Sequence, residues 1–184
     1  ATFLSGLKDS LVSDIGGTTT DVAILRDGSP ILNTEGAVVG GRHLMVEAVQ
    51  IYTFGLGGDS EVRFGDDGGI SLGPNRIVPV SLLATEHPDV VAVLEAQAAG
   101  EEFSGEEGRF VVPLRSAEDP GFSGEDFSRT QREIFAAVKD GIVPLADLAR
   151  NADSRYLLQR DLSRLVNSGI VAVGGFTPSD AAHV

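Results

Sequence analysis

Apolar and polar positions alternate in short bursts over the first seventy residues, and the bursts are too brief for helices. "SLVSDI" (10–15) and "DVAIL" (21–25) are short and rich in apolar and β-branched residues, which predicts strands. Asp27-Gly28 sits where a two-residue hairpin turn is needed, with "PILN" as the return strand. "GAVVGG" and "AVQIYTF" are further strand candidates. Gly55, Gly57, Gly58, Gly65, Gly68, Gly69 and Gly73 then predict a run of sharp turns.

From Pro74 onward the pattern changes. "RIVPVSLL" reads as a strand or an apolar connection. Residues 89–99 predict a helix with Asp89 as N-cap, Gly100 as stop, and Val90, Val91, Val93 and Leu94 as its apolar face. "GEEFSGEEG" reads as an acidic, solvated loop. "RFVVPLRS" predicts a strand that Pro113 pushes toward a sheet edge. Ser128 and Gln131 form a capping box before Ile134, Phe135 and Val138. Gly141 and Pro144 end that helix. A second helix is predicted over 154–167, burying Tyr156, Leu157, Leu158, Leu162, Leu165 and Val166 and turning Arg155, Arg160 and Arg164 to solvent. "IVAV" then reads as a buried strand leading through Gly174-Gly175 to a helix start at Thr177, Pro178 and Asp180.

This order predicts a single α/β or α+β domain over 1–184, β-rich in 1–73 and mainly helical with a final strand in 74–184. No repeat of solenoid period is evident. The chain opens on Ala and stops about one turn into its last helix, so it is expected to be a fragment of a longer chain.

Composition narrows the function classes. Hydrophobic residues make up 42% of the 184, a globular proportion, and no apolar run approaches the roughly 20 residues of a membrane span. No secretory leader is visible and cysteine is absent, which fits a cytoplasmic protein and removes thiol chemistry. A net charge of −13 disfavours nucleic acid and anionic membranes as partners. It leaves room for a phosphorylated ligand, which backbone N–H groups and a divalent ion can hold without a basic patch. His43, His87 and His183 have no metal-ligand spacing, and Asp66-Asp67 reads as a surface turn.

The stretch with chemistry is "SDIGGTTTDVAIL" (13–25). Asp14 falls at the end of a strand expected to be buried, and Asp21 opens the returning one. Gly16 and Gly17 permit positive φ and leave no side chain to block a ligand. Backbone amides there can converge on an anion, with hydroxyls from Thr18, Thr19 and Thr20. Asp14 can hold magnesium through water, and Asp21 can do likewise. Taken alone, the stretch reads equally well as a phosphate clamp or as a plain hairpin.

"DIGGTTTDVAIL" resembles the second phosphate-binding hairpin of the superfamily that joins actin, the heat-shock chaperones and the sugar kinases. More narrowly, "FLSGLKDSLVSDIGGTTTDVAILRDG", "VQIYTFGLGGDS" and "GGFTPSDAAHV" resemble three segments of the hydantoinase/oxoprolinase family. The resemblance implies an α/β, ribonuclease-H-like, actin-type ATPase lobe, a β-hairpin-rich sheet with flanking helices. It implies ATP-dependent hydrolysis of a cyclic amide such as 5-oxoproline or a hydantoin, through phosphorylation of the amide oxygen. By position, Asp14 would carry water-bound magnesium; Gly16, Gly17, Thr18 and Thr19 would hold phosphates; Asp21 would assist metal or water. The family also carries an earlier glycine-threonine loop in a preceding lobe, and nothing before residue 13 matches it. That lobe of the same chain is therefore an expected partner, and the resemblance leaves room for a second subunit. The glycine turn reads Gly57-Gly58-Asp59-Ser60 where relatives often have Gly-Gly-Gly-Ser, so Asp59 separates this chain from a simple transfer of specificity. "AVGGFTP" also resembles the superfamily's adenosine turn but reads better as a strand-to-helix connection. Two other readings stay open: an interaction module with an unused hairpin, and a subunit of an ATP-dependent ketone carboxylase.

Overall fold

The structure is a computed structural model that describes residues 2–33, 37–39, 42–44, 48–65, 68–100, 104–116 and 126–182, with backbone alone for 37–39 and 42–44. Asp66-Asp67 and His183 lie outside the described residues. The fold is mixed α/β. Its chain divides into two compact units, Ala1–Gly58 and Asp59–Val184. The division precedes the change of pattern at Pro74, because the hairpin after Asp59 bonds into the second unit: Ile77 N–H donates to Asp59 O and Val62 N–H to Phe176 O, both at 3.0 Å.

The first unit opens with a short turn of helix, α1 (Thr2–Ser5), followed by β1 (Ser10–Ile15), β2 (Thr20–Arg26) and β3 (Ser29–Pro30). β1 and β2 pair antiparallel, and β2 pairs with β3 across Asp27-Gly28. Asp27 (φ 50°) and Gly28 (φ 80°) are both left-handed, the conformation a type I′ turn requires. The predicted return strand is split: Pro30 belongs to β3, whereas β4 (Leu32–Asn33) pairs with β7 (Ala48–Val49). Between them lie β5 (Ala37–Val39) and β6 (Arg42–Leu44), a pair of their own. β8 (Ile51–Phe54) then adds to the free side of β2.

The strand carrying Asp14 was expected to be buried, and it is not. Leu11 is 66% exposed and Ile15 69%, and Phe54 on β8 is 54% exposed. The physical reason is that the described residues of this unit include no helix beyond α1 to cover either face of the sheet.

The described apolar core lies in the second unit. β9 (Ser60–Phe64) and β10 (Ile70–Arg76) make a hairpin. β11 (Val78–Pro79), β12 (Phe110–Pro113), β13 (Val143–Pro144) and β14 (Val171–Gly175) make a sheet in the order β11-β14-β12-β13. β12 is thus interior, yet the expectation for Pro113 survives in part. β13 pairs only with Phe110 and Val111, so among the described residues no strand flanks Pro113 on that side. Among the described residues six helices accompany the hairpin and sheet: α2 (Val80–Glu86), α3 (Asp89–Ala98), α4 (Arg129–Val138), α5 (Leu145–Asn151), α6 (Arg155–Asn167) and α7 (Pro178–Ala182). α4, α5 and α6 bury Ile134, Val138, Leu145, Leu158, Leu162 and Leu165 against Val111 and Val171. Tyr156, predicted buried, is 74% exposed, because at about 100° per residue it falls on the helix face opposite the Leu158–Leu162–Leu165 stripe.

Two buried carboxylates hold this unit together. Asp161 is fully buried; it accepts from Ser128 Oγ at 2.7 Å and from Arg160 Nε at 2.8 Å, with Arg164 at 3.7 Å. Ser128 also caps α4 through Gln131 N–H at 3.1 Å, so one hydroxyl ties α4 to α6. The Arg160 hydrogen bond pulls the Asp161 carboxyl below its ordinary value, with Ser128 and both arginines helping against the cost of burial. Asp180 accepts from Thr177 N–H and Oγ1, each at 2.8 Å, and from the amides of Ser81 (2.9 Å) and Val80 (3.3 Å). It therefore caps α7 and α2 together. Burial pushes the Asp180 carboxyl up, but the hydrogen bonds from Ser81 and Thr177 outweigh it and leave it below the ordinary value. The helix in "RIVPVSLL" was missed from the sequence, since its cap arrives from about a hundred residues downstream; α5, between Pro144 and the helix predicted from 154, was missed as well. For α3, the N-cap is Pro88 rather than Asp89, which falls in the first turn.

Candidate functional site

The acidic hairpin lies wholly in the first unit. In the β1–β2 register Asp14 stands directly opposite Asp21, and Ile15 opposite Thr20. A four-residue loop, Gly16–Thr19, joins them. Period-two alternation puts Asp14 and Asp21 on one face together with Val12, Ala23, Ile51 and Thr53. Like charges straight across an antiparallel pair repel. Among the described residues neither carboxylate has a Lys or Arg partner. The pair is therefore an uncompensated acidic spot at the root of the loop.

The loop is braced from β8 and the glycine turn behind it. Gly58 N–H donates to Gly16 O at 2.9 Å, and Thr20 Oγ1 donates to Leu56 O at 2.6 Å. Gly57 is buried. A methyl group in place of its Cα hydrogen would lie 2.5 Å from Gly16 O, Gly17 C and Thr18 N. The turn backbone thus lies flat against the loop backbone, which only glycine permits. This assigns Gly55–Gly58 a supporting role for the hairpin within the same unit. Asp59 belongs to the second unit, where its carboxylate takes the Arg76 guanidinium at 2.9 Å.

The glycines of the loop serve differently from the expectation. Neither Gly16 nor Gly17 adopts a positive φ. Both are exposed and present no side chain to a ligand. Within the loop, Gly16 N–H is engaged by Thr19 O at 2.8 Å, and the Thr20 hydroxyl proton is taken by Leu56. Among the described residues, the amides of Gly17, Thr18 and Thr19 and the hydroxyls of Thr18 and Thr19 make no such bond. These are the donors free to meet an anion.

Thr53, which sequence reasoning did not single out, belongs to the site. It stands opposite Asp21 in the β2–β8 register and donates Oγ1–H to Asp21 Oδ1 at 2.5 Å. An open cavity of about 710 Å³ borders Asp14, Asp21 and Thr53, with Val12, Asn33 and Ile51 along its sides. Among the described residues no group of three or more His, Asp or Glu side chains gathers to hold a metal. Two opposed carboxylates suit a hydrated divalent ion that takes its remaining ligands from water and phosphate, as magnesium does. No helix among the described residues is long and apolar enough to cross a membrane.

The family model for hydantoinase/oxoprolinase matches residues 1–80. Over these residues the chain is similar to the hydantoinase/oxoprolinase family. The match holds the whole hairpin, the acid pair, Thr53 and the glycine turn. No curated protein sequence matches the chain. Among solved structures, a similar chain is the nucleotide-free acetone carboxylase, studied for ATP-dependent acetone carboxylation. It is 29% identical, covering 41% of this chain and 11% of that one, with a TM-score of 0.34. The matched part therefore spans about a tenth of that protein, and the fit is too loose to argue a fold from.

Proposed function

We propose that this chain, similar to the hydantoinase/oxoprolinase family over residues 1–80, supplies the phosphate-binding hairpin of an ATP-dependent enzyme that opens a cyclic amide of hydantoin or 5-oxoproline type. The observation that carries the reading is the uncompensated Asp14–Asp21 pair set beneath a braced loop with free amides. It is one wall of a nucleotide site; an actin-type partner lobe would supply the other.

In this reading the amides of Gly17, Thr18 and Thr19 hold phosphate oxygens, and the Thr18 and Thr19 hydroxyls add further donors. Gly16 shapes the loop and Thr20 anchors it to Leu56, so both act on phosphate through the loop. Asp14 holds the water shell of magnesium, and Asp21 orients a water beside it. The bound ion supplies charge neutralisation on the phosphates. An amide carbonyl is a poor electrophile. Moving the terminal phosphoryl group of ATP onto its oxygen releases ADP and leaves an imidate-like carbon. Water adds to that carbon, the C–N bond breaks as the ring nitrogen takes a proton, and a second water hydrolyses the resulting acyl phosphate to carboxylate and inorganic phosphate. The cavity beside the acid pair gives room for a small, partly apolar acceptor next to that chemistry.

The test is turnover by the full-length protein with ATP, magnesium and a panel of cyclic amides. Asp14→Asn should reduce ATP-coupled ring opening at least about 100-fold while circular dichroism stays unchanged. Turnover within a few-fold of wild type would overturn the assignment. Carboxylated products from a ketone and bicarbonate would replace the cyclic amide with a ketone acceptor.

A further inference from the structure

We infer that Thr53 is a positioning residue that fixes the Asp21 carboxylate, so that the two opposed acids of the hairpin have unequal freedom when phosphate and a divalent cation enter. This rests on the reading of the hairpin as a magnesium-phosphate site.

Asp14 and Asp21 are direct cross-strand neighbours, and repulsion between them favours side-chain orientations that separate the charges. Only one of the two is anchored. Thr53, the next residue across the ladder on the far side of Asp21, donates its hydroxyl to Asp21 Oδ1 at 2.5 Å. That bond takes one oxygen of a carboxylate that borders the cavity. Among the described residues, nothing comparable engages Asp14. Asp21 is the fixed acid of the pair, and Asp14 is the arm that adjusts to an incoming ion. A threonine serves here because β-branching suits β8 while its hydroxyl reaches one strand over. Valine keeps the shape and loses only the donor; serine keeps the donor.

The experiment is calorimetry of ADP binding to the full-length protein with and without magnesium. It compares wild type, Thr53→Val and Thr53→Ser, with the melting temperature measured for each. Thr53→Val should weaken magnesium-dependent ADP binding about tenfold and leave metal-free ADP binding within about twofold, since a hydrogen bond to a charged group is lost only where the charge is used. Thr53→Ser should restore most of the loss. Equal magnesium-dependent affinity in wild type and Thr53→Val would overturn the positioning role alone. So would a parallel fall of both affinities together with the melting temperature, the mark of a general structural role. A wild-type protein with no magnesium-dependent binding would overturn the hairpin reading, and this inference with it.

Discussion

Gly57→Ala isolates the contact that supports the loop. The added methyl would sit 2.5 Å from three backbone atoms, Gly16 O, Gly17 C and Thr18 N. Normal carbon contacts need about 3.5–4 Å, so the overlap is about 1 Å with atoms that have no rotamer to change. The turn must lift away or the loop must deform. Overpacking of this kind costs about 1–3 kcal/mol, and separating Gly58 N–H from Gly16 O adds about 1 kcal/mol. The sum is about 2–4 kcal/mol in the first unit. Backbone strain does not contribute, since Gly57 has no positive φ. Gly55→Ala is the internal control: it lies in the same turn, has no positive φ, and a methyl there meets nothing within 4 Å. It should be neutral, or stabilising by up to about 1 kcal/mol through loss of unfolded-state entropy. Urea unfolding followed by circular dichroism measures both. Nucleotide calorimetry shows whether the deformed loop still binds. Equal stability and binding in Gly57→Ala and Gly55→Ala would refute the brace.

Three further outcomes follow from the second unit and its buried acids. Asp161→Ala should destabilise by about 2–4 kcal/mol in urea unfolding, because Ser128, Arg160 and Arg164 lose one shared buried acceptor. Asp180→Ala should cost about 2–3 kcal/mol by uncapping α2 and α7 together, and hydrogen exchange should show the start of α2 opening first. Both carboxyls lie below their ordinary value of 3.8 in the folded chain, so their stabilisation is complete above that value and is lost as pH falls through the lower folded values. Acid unfolding of Asp180→Asn should accordingly show a shallower loss of stability below about pH 4 than wild type does.

The parts legible in the sequence are those decided by neighbours along the chain. The Asp27-Gly28 turn, the Ser128–Gln131 capping box and the strand–glycine–strand form of the hairpin all depend on residues within a few positions. The hairpin's face also follows from period two, which sets Asp14 against Asp21 once the loop length is known. What was not legible depends on distant partners. The start of α2 is stabilised by Asp180, about a hundred residues away. Leu56 takes the Thr20 hydroxyl, and Gly57 is glycine because it lies against the loop backbone. Asp161 was not singled out in the sequence, and only the packing of α4 against α6 brings Ser128 to it and buries it. Thr53 carried no signal in its own segment, because its role appears only when β8 pairs with β2. The bared apolar positions of β1 and β8 could not be anticipated either, since alternation predicts a face but not what covers it.

The central claim is that the hairpin binds phosphate through a metal held at Asp14. Its most direct test is calorimetry of magnesium-ATP binding to the full-length protein, wild type against Asp14→Asn, repeated in EDTA. Binding that requires magnesium in the wild type and falls at least about tenfold in Asp14→Asn is the predicted result. Magnesium-dependent binding of equal strength in both proteins, or no nucleotide binding in the wild type, would contradict it.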